Sequence, residues 1–183
     1  MNEFRHVGIS KDVVVVGGGI AGICAAVAAA RNGATVALVT DRPVLGGNAS
    51  SEIRVPVCGA DAPPWNRYAR ESGIMEEITM RVMEKAGKSG RWRWVYYDEA
   101  AYDICCSEPA LWLFLNTSVF RATMGTPGRI AAVSGIQLRS ETVYTFEAAS
   151  FIDCSGDGVV GFLAGAEYRV GREAKSEFGE AHA

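Results

Sequence analysis

The run Val13-Val14-Val15-Val16-Gly17-Gly18-Gly19-Ile20-Ala21-Gly22-Ile23-Cys24-Ala25-Ala26 decides the architecture. Its apolar, β-branched start, a strand over residues 12–16, is the pattern of a strand buried on both faces, as in a parallel sheet. Residues 20–32 are rich in alanine and closed by Gly33, which predicts a helix with a C-terminal glycine stop. A second β-branched run at 35–39 completes a strand, helix, strand unit of about 30 residues, the size of a right-handed βαβ crossover. Gly17, Gly19 and Gly22 then satisfy G-x-G-x-x-G at the strand–helix junction. In that setting the first glycine permits a tight turn, the second lets backbone approach a pyrophosphate, and the third lets helix and strand pack. The helix N-terminus, at Ile20 and Ala21, offers unpaired N–H groups and a positive dipole end to the phosphates. A plain structural turn is the alternative.

Outward from this unit, the usual companion is an acidic residue at the end of the second strand, accepting from the ribose hydroxyls. Thr40 stands there, with the carboxylate next door at Asp41. Either can meet a ribose hydroxyl, and Asp41 can equally be a solvated turn residue before Arg42-Pro43. A second glycine pair follows in Leu45-Gly46-Gly47-Asn48-Ala49-Ser50-Ser51, whose backbone could approach a phosphate or a ribityl chain. Residues 41–65 are otherwise rich in Gly, Pro, Ser and Asn, with only 53–57 looking extended, and read as a long functional loop.

Apolar residues at Ile74, Met75, Ile78, Val82 and Met83 mark one face of an amphipathic helix over 71–86. A second short helix is expected over 98–106, stopped before Pro109. The period then changes. Residues 111–115, 119–124, 130–138 and 142–147 are short extended runs, the second and third separated by Gly125-Thr126-Pro127-Gly128, and predict a β-meander. Residues 150–153 form a further apolar strand running into Ser155-Gly156-Asp157-Gly158, and 159–164 begin another helix. Gly156 allows close approach and Asp157 can meet a sugar or ribityl hydroxyl; as an alternative, Asp157 caps the helix. An NAD domain would pass directly from the second strand into another βαβ unit. The meander and the Gly156-Asp157 segment therefore favour FAD.

The segment 13–30, the run Arg42-Pro43-Val44-Leu45-Gly46-Gly47-Asn48-Ala49-Ser50-Ser51-Glu52-Ile53-Arg54, and Phe151-Ile152-Asp153-Cys154-Ser155-Gly156-Asp157-Gly158 together resemble the FAD-dependent oxidoreductase family of glutathione-reductase-type fold. The resemblance covers essentially the whole chain, including Leu113-Phe114-Leu115-Asn116 and Gly171-Arg172-Glu173. It implies an α/β, Rossmann-like FAD/NAD(P)-binding domain over 1–183, with a parallel sheet, a helical insertion at about 60–108 and a β-meander at about 111–147. Gly17, Gly19 and Gly22, with Ile20 and Ala21, would cradle the pyrophosphate, and Thr40 or Asp41 would sit by the adenosine ribose. Arg42, Gly46, Gly47 and Asn48 would line the phosphates and ribityl chain, the backbone of Val119 would face the adenine edge, and Ser155, Gly156 and Asp157 would close over the dinucleotide.

In this fold a later portion supplies the substrate domain and finishes the flavin site. The present chain stops at Glu177-Phe178-Gly179-Glu180-Ala181-His182-Ala183 with no hydrophobic strand or helix to end on, so the expectation is a truncated or split protein without its substrate domain. The implied activity is hydride transfer between flavin and a small organic substrate. The alternatives are a non-catalytic fragment or subunit needing a partner chain, and an NAD(P)-dependent dehydrogenase. Flavin carries the hydride chemistry itself, so no strong nucleophile or base is required of the protein. Cys58 is the thiol placed to approach the isoalloxazine; a buried, inert cysteine is the alternative. Trp92, Trp94, Tyr96 and Tyr97 alternate in an Arg-rich stretch, where they would line a ring-shaped substrate or pack against the absent domain.

With 183 residues, 49% of them hydrophobic and 21% charged, the chain buries a real core without disulfides or a structural metal. Cys24, Cys58, Cys105, Cys106 and Cys154 are odd in number and contain no CxxC pair, which reads as reduced thiols in the cytoplasm. His6 and His182 have no metal-ligand spacing. A formal charge of -3 with scattered Lys and Arg argues against nucleic acid. The start of the chain lacks a signal-peptide layout, and the longest apolar tract, 13–30, is broken by glycines, which argues against a membrane span.

Overall fold

The computed structural model describes residues 4–58, 65–66, 68–87 and 94–179. Its core is one six-stranded sheet built on β1 (Arg5–Val16), β2 (Val36–Val39), β3 (Leu111–Phe114), β4 (Ser118–Met124), β5 (Ile130–Gln137) and β6 (Thr142–Asp153), in the spatial order β3-β2-β1-β6-β5-β4. β1 pairs in parallel with β2 on one side and with β6 on the other, and β3 adds in parallel beyond β2. β5 and β4 continue antiparallel past β6. The architecture is α/β with a mixed sheet.

Three expectations are corrected. Residues 111–114 are not the first run of a meander: Val36 to Val39 pair in parallel with Leu111 to Phe114, so this run closes the edge of the parallel sheet. Residues 142–147 and 150–153 are one strand, because β1 is long enough to pair along its whole length, from Arg5↔Thr142 to Val16↔Asp153. β1 accordingly starts at Arg5 rather than at 12, its first half alternating exposed and half-buried residues where one face is open to solvent.

The helices are α1 (Ile20–Arg31), α2 (Ile74–Ala86), α3 (Trp94–Cys106), α4 (Val159–Leu163) and α5 (Lys175–Phe178). α1 buries Ile23, Ala26, Val27 and Ala30 against Val15, Val36 and Leu38, and α2 and α3 complete that layer with Ile78, Val82, Ala101 and Ile104. Val14, Val16, Ala37 and Val39 point to the opposite face and meet Val133, Phe146 and Val160. This alternation between two apolar layers explains why the run 13–16 carries no polar residue. Within the second layer, the Phe114, Tyr144 and Phe146 rings pack with centroids 4.9–5.8 Å apart.

α3 starts at Trp94, four residues before its expected start, and this changes the reading of the aromatic group. Tyr97 is 2% exposed and belongs to the core, with Tyr96 packed against it, so both rings pack within this chain. Trp92 lies outside the described residues, as do His182 and parts of the expected insertion at 60–108. Cys105 is buried in α3 while Cys106 is exposed. Among the described residues no helix is long and apolar enough to cross a membrane.

Candidate dinucleotide-binding site

A cavity of about 540 Å³ opens at the carboxyl ends of β1, β2 and β6. The crevice beyond the carboxyl ends of parallel strands is where open α/β sheets bind ligands, and this volume falls within the range of about 300–1,000 Å³ usual for ligand pockets. Three turns meet there, and each is forced into place by short backbone approaches.

The first turn leaves β1. Gly17 has φ +107°, and a Cβ on it would stand 2.2 Å from the Cys154 carbonyl oxygen, so only glycine lets β1 and β6 leave the sheet side by side. Gly19 is the N-cap of α1 with no side-chain cap, and the first turn of α1 carries no acidic residue. Ile20 and Ala21, in that first turn, line the cavity without a competing carboxylate. Gly22 does not line the cavity. Its Cβ position lies 1.8 Å from the Gly17 carbonyl oxygen, which makes it the helix–strand contact of the motif and not a cradle residue.

The second turn leaves β2. Thr40 is buried at 5% exposure while Asp41 and Arg42 are exposed, and all three line the cavity. Arg42 pairs with Glu52 at 3.1 Å. The chain then returns through Leu45, which is buried, to the glycine pair, where the Gly46 N–H donates to the Gly18 carbonyl oxygen at 2.8 Å. Gly46 and Gly47 have φ +110° and +56°, and a Cβ on Gly47 would stand 3.1 Å from the Gly19 Cα. Gly47, Asn48 and Ala49 form a 3-10 turn on the cavity wall, and Val55, Pro56 and Val57 extend that wall.

The third turn leaves β6. The Asp153 carboxylate accepts from the Ser155 N–H at 3.1 Å, from the Ser155 hydroxyl at 2.6 Å and from the Gly161 N–H at 2.9 Å. Ser155 Oγ in turn accepts from the Val159 N–H at 2.7 Å, so Ser155 rather than Asp157 satisfies the first N–H of α4, whose N-cap is Gly158. Ser155, Gly156 and Asp157 line the cavity.

Val119 completes the wall from β4. It is positioned by the connection 115–118, whose Thr117 N–H donates to the Thr40 carbonyl oxygen at 2.8 Å and whose Leu115 carbonyl accepts from Gln137 Nε2 at 2.7 Å. Every residue selected from the sequence as cofactor-facing thus meets at one cavity, Gly22 excepted. Cys58 lies just past this wall, exposed, with its thiol 3.6 Å from the Pro56 carbonyl oxygen; the buried alternative for it is overturned.

Sequence reading missed Gly18, whose Cβ would meet Leu45 and Thr40 at 2.9 Å, although the glycine triplet was a signal for it. It also missed Cys154, although it stands inside the run 151–158, and Thr117 and Ser118, which no local pattern marks. Burial, and then the neighbouring Asp153, push the Cys154 thiol above its ordinary value, so at neutral pH it stays protonated and is no thiolate nucleophile.

The family model for FAD dependent oxidoreductases matches residues 12–183. The chain belongs to the FAD-dependent oxidoreductase family. Among curated relatives, the sarcosine oxidase subunit alpha of Corynebacterium sp. (strain U-96) is 39% identical over 77 residues, covering 42% of this chain and 8% of that protein. The chain therefore corresponds to a small part of that relative's length. Among solved structures, a geranylgeranyl bacteriochlorophyll reductase-like protein from Thermoplasma acidophilum superposes with a TM-score of 0.63 at 17% identity, covering 88% of this chain and 43% of that one. The adenylylsulfate reductase of Archaeoglobus fulgidus gives a TM-score of 0.56 at 17% identity over 83% of this chain and 31% of that one. At these identities the likeness shows the fold alone. The cofactor of the family is FAD.

Proposed function

We propose that this chain is the dinucleotide-holding part of an FAD-dependent oxidoreductase that transfers a hydride between the flavin and a small organic substrate. One observation carries the reading: the carboxyl ends of three parallel strands converge on a cavity whose floor is glycine backbone and an uncapped helix N-terminus. Such a surface suits a pyrophosphate, because N–H donors and a helix dipole compensate its charge where side chains would only obstruct it.

In this reading Gly17, Gly19, Ile20 and Ala21 face the pyrophosphate from one side and Gly46, Gly47 and Asn48 from the other. Asp41 takes the ribose hydroxyls, since Thr40 is buried against Gly18 while Asp41 is exposed at the rim. Arg42 lends positive charge while Glu52 holds its guanidinium in place. The Val119 backbone meets the adenine edge, and Asp157 meets a hydroxyl of the ribityl chain. When bound, FAD supplies the hydride chemistry; these residues bind and orient it. Cys58, exposed just past Val57, is the thiol with access to the isoalloxazine in this reading. A substrate domain, in the same polypeptide or in a partner chain, completes the enzyme; the sequence match to a protein named as a subunit supports the partner. The unpaired thiols accord with a cytoplasmic location.

The test is an absorbance scan of the protein after incubation with FAD and removal of the excess. Retained visible bands of an oxidised flavin are the expected result. A colourless protein that also fails to bind ADP would reject the dinucleotide reading.

A further inference from the structure

The loop that carries Gly46, Gly47 and Asn48 ends on a helix from outside the βαβ unit. The Ser51 N–H donates to Asp98 Oδ1 at 2.8 Å, and the Ser51 hydroxyl donates to Asp98 Oδ2. Both oxygens of one half-buried carboxylate are thus committed to one residue of the loop. Its neighbour Tyr97, 2% exposed, lies directly beneath the other end: a Cβ on Gly46 would stand 3.2 Å from the Tyr97 ring. Two successive residues of α3 therefore support the start and the end of a loop whose middle faces the cavity. The loop needs such support, because Gly46 and Gly47 hold positive φ and glycine loses more conformational freedom on ordering than any other residue.

We propose that Asp98 is a positioning residue for dinucleotide binding: it clamps Ser51 so that the backbone of Gly46, Gly47 and Asn48 is already ordered when the phosphates arrive. The inference rests on the dinucleotide reading and extends it to a helix with no part in the glycine motif. A preordered loop has its entropy cost removed from binding, so releasing the clamp lowers affinity without removing any contact to the ligand.

Asp98→Ala abolishes the clamp. Asp98→Asn keeps an acceptor for the Ser51 N–H and a donor for its hydroxyl oxygen. Hydrogen exchange on the ligand-free protein is expected to show residues 46–51 losing protection in D98A, with α1 and β1 unchanged, and regaining most of it in D98N. FAD affinity is expected to fall roughly tenfold or more in D98A, the scale of one charge-assisted hydrogen bond, and to recover in D98N. ADP should follow FAD, while adenosine, which lacks phosphates, should not, a split that general destabilisation would not produce. Should D98A fail to fold, Ser51→Ala removes the hydroxyl contact alone and is expected to give a smaller effect of the same kind. Unchanged exchange at 46–51, or a loosened loop with unchanged FAD affinity, would overturn the proposal. A wild-type chain that binds neither FAD nor ADP would instead overturn the dinucleotide reading, and with it the affinity half of this one, while exchange would still decide the clamp.

Discussion

Glycines carry most of the information at the scale of single residues, and they divide into two kinds. Gly17 and Gly22 are glycine because protein backbone occupies the space of a side chain, at 2.2 Å and 1.8 Å. Gly19 has no atom beyond its own chain neighbours within 4 Å of a Cβ position and an ordinary φ of -72°. The two kinds predict opposite phenotypes. Gly22→Ala should destabilise the fold by at least the upper part of the about 1–3 kcal/mol typical of overpacking, visible as a lowered urea midpoint. Gly19→Ala should leave unfolding within about 1 kcal/mol of wild type, the scale of an N-cap change, and still weaken FAD binding by roughly tenfold or more. Equal losses of stability in both variants would remove the distinction. The motif and its division of labour, a tight turn at Gly17, open backbone at Gly19 and helix–strand packing at Gly22, were legible in the sequence; the Cys154 carbonyl that stands behind Gly17 was not, because it arrives with β6 from a distant part of the chain.

Elements were legible where a period or a stop was local, and misread where pairing decided them. α1, with its alanines and Gly33, came through within a residue or two. Residues Leu111-Trp112-Leu113-Phe114 look like any short apolar run, and only the vacant edge of β2 makes them a parallel strand. The Asp98 clamp was invisible for a related reason: its partner Ser51 lies 47 residues away, in another element. Between helices, one polar joint stands out. Arg31, at the end of α1, donates to both oxygens of Glu77 on α2, at 2.7 and 2.8 Å, and to Glu108 at 2.7 Å. Its hydrogen bonds hold the Glu77 carboxyl below its ordinary value near 4.5, and a depressed carboxylate stabilises the fold above its unfolded pKa and loses that contribution as pH falls through the folded one. Both side chains are more than a third exposed, so solvent screening limits the pair to about 1 kcal/mol or less. Glu77→Gln should therefore cost about that much at about pH 7 and progressively less as the pH falls below the ordinary carboxylate range, in urea unfolding at each pH. A constant difference across that range would show that Glu77 acts through packing instead.

At the scale of the molecule, the parallel sheet places three turns from distant parts of the sequence around one cavity. Residues 17–21, 40–48 and 155–157 are brought together because β1 sits between β2 and β6 and all three strands end at the same level, Val16 beside Val39 and Asp153. That convergence follows from the topology, and the sequence indicated it only through three separate glycine-bearing turns. The most direct test of the account is a titration of the chain with FAD, followed by flavin fluorescence and challenged with ADP and with FMN. Saturable binding that ADP displaces and FMN does not is the predicted result, because in the proposed reading the converging turns, Asp157 apart, face the ADP half of the cofactor. Binding that FMN displaces and ADP leaves untouched, or no binding of either FAD or ADP, would contradict it.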